Sequence, residues 1–182
     1  TNILEAVKLI FSIRYHNNRY YIIIREMGTV DLLTGLLNRN CYQRNMKGYL
    51  MMNFQTLACV YCDVNGLHEL NNSQGHEAGD EMLKTVAVTI RNYFGDEHSY
   101  RIGGDEFVAF VLDEETEDIK KKTEAVARKL EAKGYYVSVG ISIGRPINLT
   151  EMEELVKKAE AEMYAVKKIF YENGGRDRRG RM

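Results

Sequence analysis

The sequence predicts an α+β fold, a mixed sheet with helices packed against it, and three observations carry that expectation. An apolar run at residues 56 to 63 has the length of a fully buried strand. Helical periodicity follows over Gly75 to Tyr93, with Met82, Leu83, Val86, Val88, Ile90 and Tyr93 in the apolar stripe. Ser99 to Ile102 and Phe107 to Leu112 then flank Gly103-Gly104-Asp105-Glu106 as strand, turn and strand.

At the start of the chain, residues 3 to 27 place Ile3, Ile10, Asn17 and Ile24 at one heptad position and Ala6, Ile13, Tyr20 and Met27 at the other, a coiled-coil seam of about four heptads. A polar Asn17 among isoleucines suits two parallel helices, so a homodimer is expected. After a turn at Gly28, Asn38 or a nearby polar residue caps a helical stretch reaching about Met52. The 56–63 strand ends in Asp63 and is central because it is apolar throughout. In the hairpin, Gly103 and Gly104 are expected to supply the positive φ of a tight turn. The acidic cluster Asp113 to Asp118 favours the start of a helix over Ile119 to Ala132. Tyr135 to Ile143 is another strand, and Leu155 to Tyr171 is a final amphipathic helix before the basic tail Arg176-Asp177-Arg178-Arg179. The resulting β-α-β-β-α-β order is a ferredoxin-like arrangement with extensions, divided into an N-terminal helix at 1–28 and a globular domain at 29–182.

Composition excludes several function classes. The 182 residues carry 25 Lys plus Arg against 26 Asp plus Glu, a net charge of -1, which gives no field toward nucleic acid or a membrane surface. Tyr20 to Ile24, the longest apolar run near the N-terminus, is far too short to cross a bilayer. Three cysteines without a signal-peptide pattern point to a reducing compartment, and the cytoplasm is expected. Because the chain begins at Thr1, it is expected to be part of something longer, such as the cytoplasmic part of a membrane-attached sensor. Cys59 and Cys62 spell C-x-x-C, but three residues apart on a strand they face opposite ways and read as core residues.

Three acids could do chemistry. If the strands carrying Asp63, Asp105 and Glu106 are neighbours, their carboxylates converge, and such a cluster repels itself unless protonated or bound to cations. Hard oxygen ligands suit Mg²⁺ or Mn²⁺, and paired ions of this kind serve in-line phosphoryl or nucleotidyl displacement. Spacing alone leaves equally open that Asp105 and Glu106 are simple hairpin-turn acids.

The run Arg101-Ile102-Gly103-Gly104-Asp105-Glu106-Phe107 resembles the signature of GGDEF-domain diguanylate cyclases, bacterial enzymes that join two GTP into cyclic di-GMP. It is accompanied, in order, by Asp31-Leu32-Leu33-Thr34-Gly35-Leu36-Leu37-Asn38-Arg39, Asp63-Val64-Asn65-Gly66-Leu67 with Asn71, and Gly75-His76-Glu77-Ala78-Gly79-Asp80. Ser138-Val139-Gly140-Ile141-Ser142 and Ala159-Glu160-Ala161-Glu162-Met163-Tyr164 complete a resemblance that spans about residues 29 to 180. It implies a palm-type, nucleotide-cyclase-like sheet and a diguanylate cyclase activity.

The same resemblance implies roles. Asp63 and Asp105 would coordinate Mg²⁺ (or Mn²⁺) through side chains and Val64 through its carbonyl, while Glu106 would contact a second ion or help deprotonate the attacking 3′-hydroxyl. Asn71 and Asp80 would hydrogen-bond guanine, Gly103 and Gly104 would let backbone approach the nucleotide, and Lys167 would hold the terminal phosphates. Each domain would bind one GTP, so the partners implied are GTP, a second copy of the chain and an upstream sensory domain. A catalytically silent nucleotide-binding module and a palm-like enzyme acting on ATP are the rivals.

Departures from the family pattern refine this. Asn65 stands where many members have a second Asp, at a position that is not a metal ligand. His68 replaces a Lys that commonly touches the phosphates, which implies weaker GTP binding with the site retained. The inhibitory product site of the family uses Arg-x-x-Asp, whereas this chain has Phe94-Gly95-Asp96-Glu97, so tight product inhibition through that segment is not expected.

Overall fold

The computed structural model describes residues 28–174. The heptad stretch and the arginine-containing tail lie outside the described residues, so the coiled-coil expectation is not addressed by it. Ten elements follow in chain order: β1 (Leu37–Asn38), α1 (Arg39–Tyr49), β2 (Leu57–Asn65), α2 (Leu67–Gln74), α3 (His76–Phe94), β3 (Ser99–Arg101), β4 (Glu106–Leu112), α4 (Thr116–Glu131), β5 (Tyr136–Gly144) and α5 (Leu149–Glu172).

The strands form one sheet in the order β1-β3-β4-β2-β5, with β1 parallel to β3 and every other pair antiparallel. Two split crossovers, β2-α3-β3 and β4-α4-β5, place β4 and β2 side by side in the interior of the sheet, which is the ferredoxin-like core expected from the element order. All nine residues of β2 are buried, because helices cover both of its faces. Ala58, Val60, Cys62 and Val64 pack with Leu83, Val86 and Ile90 of α3 and with Val126 and Leu130 of α4. On the opposite face Leu57, Cys59 and Tyr61 pack with Tyr49 of α1 and with Met152, Leu155 and Val156 of α5. Cys59 and Cys62 therefore sit in different cores, both free, and burial pushes both thiols well above their usual range. A thiol held protonated in this way is an inert core residue.

Helix ends follow from local chemistry. Asn38 caps α1 as its sequence suggests, its Oδ1 accepting the Cys41 N–H at 2.9 Å. Helix α5 begins at Leu149 rather than Leu155 because Asn148 caps it, accepting the Glu151 N–H at 2.9 Å while Glu151 accepts the Ile147 N–H at 3.1 Å. Two elements go beyond the sequence expectation. Helix α2 lies between Gly66 (φ +77°) and Gly75 (φ +88°) and buries no residue fully, so it carries no apolar stripe to betray it. Strand β1 is two residues long, too short for any periodicity.

The hairpin corrects a second expectation. Gly103 and Gly104 are not among the glycines with positive φ, so turn geometry is not what selects them. A Cβ on Gly103 would overlap the Glu106 carboxylate, whereas a Cβ on Gly104 would meet open space. The requirement at Gly103 is room for a neighbouring side chain.

Candidate functional site

The site assembles where β2 and β4 end. Their antiparallel register sets Asp63 directly opposite Glu106, and the Val64 N–H donates to the Asp105 carbonyl at 3.0 Å, tying the hairpin loop to the central strand. The hairpin closes through the Ile102 N–H on the Glu106 carbonyl at 3.0 Å. Arg101 stiffens it further: Nη2 reaches the Gly104 carbonyl at 2.7 Å and Nη1 reaches Asp31 Oδ1 at 2.9 Å. Asp31 in turn accepts the Thr34 N–H and hydroxyl at 2.9 and 2.6 Å, so the Asp31-to-Arg39 segment and the hairpin brace each other.

Asp63 is 5% exposed. Burial raises its carboxyl above the usual range, Lys167 pulls it back down, and the nearby charges of Asp105 and Glu106 raise it again. Lys167 of α5 places its Nζ 2.6 Å from Asp63 Oδ1. Burial works to lower the Lys167 ammonium, and its bond and charge pairing with Asp63 outweigh that and raise it. An open groove of about 460 Å³ beside the pair is lined by Asp63, Glu106, Lys157, Glu160, Tyr164 and Lys167. Glu106 Oε1 accepts the Tyr61 hydroxyl at 2.9 Å.

The sequence-derived residues are only partly gathered. Asp63, Val64, Asp105, Glu106 and Lys167 share one end of the sheet. Among the described residues, however, no three acidic, His or Cys side chains draw together closely enough to cage a metal ion, and Lys167 is the cation on Asp63. The donor set nevertheless fits a hard divalent ion: carboxylate oxygens, one of them buried and electrostatically disfavoured as an anion, are what such an ion neutralises.

Asn71 and Asp80 belong to α2 and α3, which pack against each other. Asn71 lies against Gly79, where any Cβ would overlap its amide, and its Oδ1 is buried without a hydrogen-bond partner among the described residues. Asp80 is half-buried at the end of the Gly75-to-Asp80 segment. His68 is exposed on α2 and pairs with Asn72 at 3.0 Å. Asn65 is buried and exchanges two hydrogen bonds with Ser138, at 2.9 and 3.1 Å, which commits its amide to β5. In the segment 94 to 97, Gly95 has φ +84° and Asp96 forms an ion pair with Arg91. Tyr61 escaped the sequence reading; its place two residues before Asp63, on the same strand face, was the available signal.

The sequence matches the family described as "Diguanylate cyclase, GGDEF domain" over residues 28–172. The chain belongs to this family, and its sheet and flanking helices are the GGDEF fold. It is 27% identical over 154 residues to "Cyclic di-GMP phosphodiesterase PdeB" of Shewanella oneidensis, covering 79% of this chain and 18% of that protein. It is 25% identical over 182 residues to "Diguanylate cyclase DosC" of Shigella sonnei, covering 89% of this chain and 40% of that protein. The chain thus spans less than half the length of these curated relatives. Among solved structures, the coiled coil and GGDEF domain of DgcB from Caulobacter crescentus, in complex with c-di-GMP, superposes with a TM-score of 0.79 at 20% identity, over 92% of this chain and 95% of that one. No helix among the described residues is long and apolar enough to cross a membrane.

Proposed function

We propose that this chain is a diguanylate cyclase that condenses two GTP into cyclic di-GMP with release of pyrophosphate. The observation that carries this reading is the register pairing Asp63 with Glu106 while Val64 holds the Asp105 loop, which brings three acids to one strand end beside Lys167.

In this reading Asp63, Asp105 and the Val64 carbonyl hold a divalent ion, Mg²⁺ or Mn²⁺, whose chemistry when bound is to neutralise charge on the α-phosphate and the leaving pyrophosphate. Glu106 takes the proton of the attacking 3′-hydroxyl or contacts a second ion. Lys167 turns from Asp63 to the terminal phosphates as a point charge. Asn71, with an unsatisfied buried oxygen, and Asp80 present an acceptor pair for the donor edge of guanine. Gly104, where a Cβ would meet open space, leaves the hairpin backbone open to the nucleotide, and Gly103 seats the Glu106 carboxylate beside it. One domain holds one GTP, so the bond forms between two copies facing each other across a two-fold axis, and a repeat of the step closes the ring. Control by an upstream sensory domain belongs to the same proposal, as does action in the cytoplasm.

A second reading, a catalytically silent module that binds GTP or a partner, draws on His68 and on relatives named as phosphodiesterases. Incubating the chain at high concentration with GTP and Mg²⁺ or Mn²⁺, with Asp105→Ala beside it, decides between them. Cyclic di-GMP and pyrophosphate from the parent, lost in the variant, support the cyclase. Saturable GTP binding by a demonstrated dimer without product overturns it in favour of the silent module.

A further inference from the structure

A carboxylate on a long side chain does precise chemistry only if something fixes its rotamers. Glu106 has three side-chain torsions, and a different neighbour meets each of its two carboxylate oxygens. Its Oε1 accepts the Tyr61 hydroxyl at 2.9 Å. Its Oε2 rests over Gly103, in space that any Cβ would fill. Tyr61 itself is anchored: it is 4% exposed and its ring packs in the α1 and α5 core. The sheet register brings the two together, because Tyr61 pairs with Val108 and Asp63 with Glu106, making Tyr61 and Glu106 diagonal neighbours on one face.

We propose that Tyr61 is a positioning residue for Glu106: its hydroxyl occupies Oε1 and leaves Oε2, seated over Gly103, as the carboxylate oxygen that meets an ion or a reacting hydroxyl. This rests on the cyclase reading for the role of Glu106, and not for the geometry. The seat over Gly103 then has a purpose that hairpin shape does not give it. A tyrosine supplies this hold where a phenylalanine of the same shape cannot, so the proposal is confined to a single oxygen atom.

The test compares the full chain with Tyr61→Phe, Glu106→Gln and the double variant. Partners of this kind are worth about tenfold to a hundredfold in metal affinity or activity. Tyr61→Phe should therefore lower kcat about tenfold at an unchanged GTP KM and an unchanged melting temperature. In the Glu106→Gln background the same substitution should cost nothing further, since the two residues act as one unit. Mn²⁺ affinity, read by electron paramagnetic resonance in all four proteins, should show the same coupling without needing turnover. Equal losses in both backgrounds, or no loss in either, overturn the positioning role. A parent that makes no cyclic di-GMP yet shows the coupled Mn²⁺ affinities overturns the cyclase reading and supports the role of Tyr61.

Discussion

Gly140 of β5 has no room for a side chain because the carbonyl oxygen of Ala159 on α5 occupies the place where its Cβ would stand, with the Met163 backbone nitrogen closing the same space. Strand and helix are in backbone contact there. Helix α5 continues from that contact toward Lys167, so the seating of the helix sets how far the ammonium reaches toward Asp63. Gly140→Ala should force helix and strand apart, an overpacking cost of about 2–3 kcal/mol. Denaturant unfolding is expected to show that loss together with a reduced GTP affinity; wild-type stability would remove the contact from the explanation.

Lys167→Met keeps the aliphatic stem and deletes the charge. Because Lys167 is the cation on Asp63 among the described residues, its loss leaves that buried carboxylate without a counter-charge from them. Mn²⁺ binding in the absence of nucleotide should therefore tighten several-fold, while GTP affinity should weaken about tenfold. Isothermal titration of each ligand separately reads both, and a parallel loss of the two affinities would contradict the exchange of partners.

The Asp31–Arg101 pair sets an acid limit on stability. Burial works to raise the Asp31 carboxyl, and the bonds from Thr34 and Arg101 outweigh it, so its native value lies below the usual carboxylate value. A depressed native pKa contributes stability that is present above the unfolded value of about 4 and is lost as pH falls through the native one. Asp31→Asn should lower the melting temperature at neutral pH, and the gap to the parent should narrow below about pH 4. A gap that is constant with pH would show that the charge is not what matters.

His68 is exposed and engaged only with Asn72 among the described residues. A lysine at this position supplies a compact point charge on a flexible four-carbon stem, suited to phosphate. His68→Lys should lower the GTP KM several-fold with little change in kcat. Steady-state kinetics checks it, and an unchanged KM would leave the position without a role toward phosphate.

Much of the fold was legible because its informative segments are buried. The apolar run from Leu57 reads as a central strand whether or not its partners are known, and the α3 stripe reads as a helix packed on one face. What stayed hidden had little apolar content, as in α2, or was settled by partners distant in the chain. Asp63, Asp105 and Glu106 stood out as residue types, whereas the Lys167 ion pair and the Tyr61 hydrogen bond depend on how α5 and β4 seat against β2. Gly103 shows the same limit from the other side. Its glycine was evident in the sequence, and the reason for it was a side chain three residues on that folds back over it.

The sheet margins have a bearing on self-association. One margin is β1, only two residues long, and on the other the edge strand β5 has its Ile141 N–H taken by Glu162 Oε2 at 2.8 Å. Natural sheets blunt their margins in such ways against recruiting strands from neighbours. A second copy, approaching as the proposed reaction requires, would meet this one through its side chains and would leave each sheet complete at its own boundary.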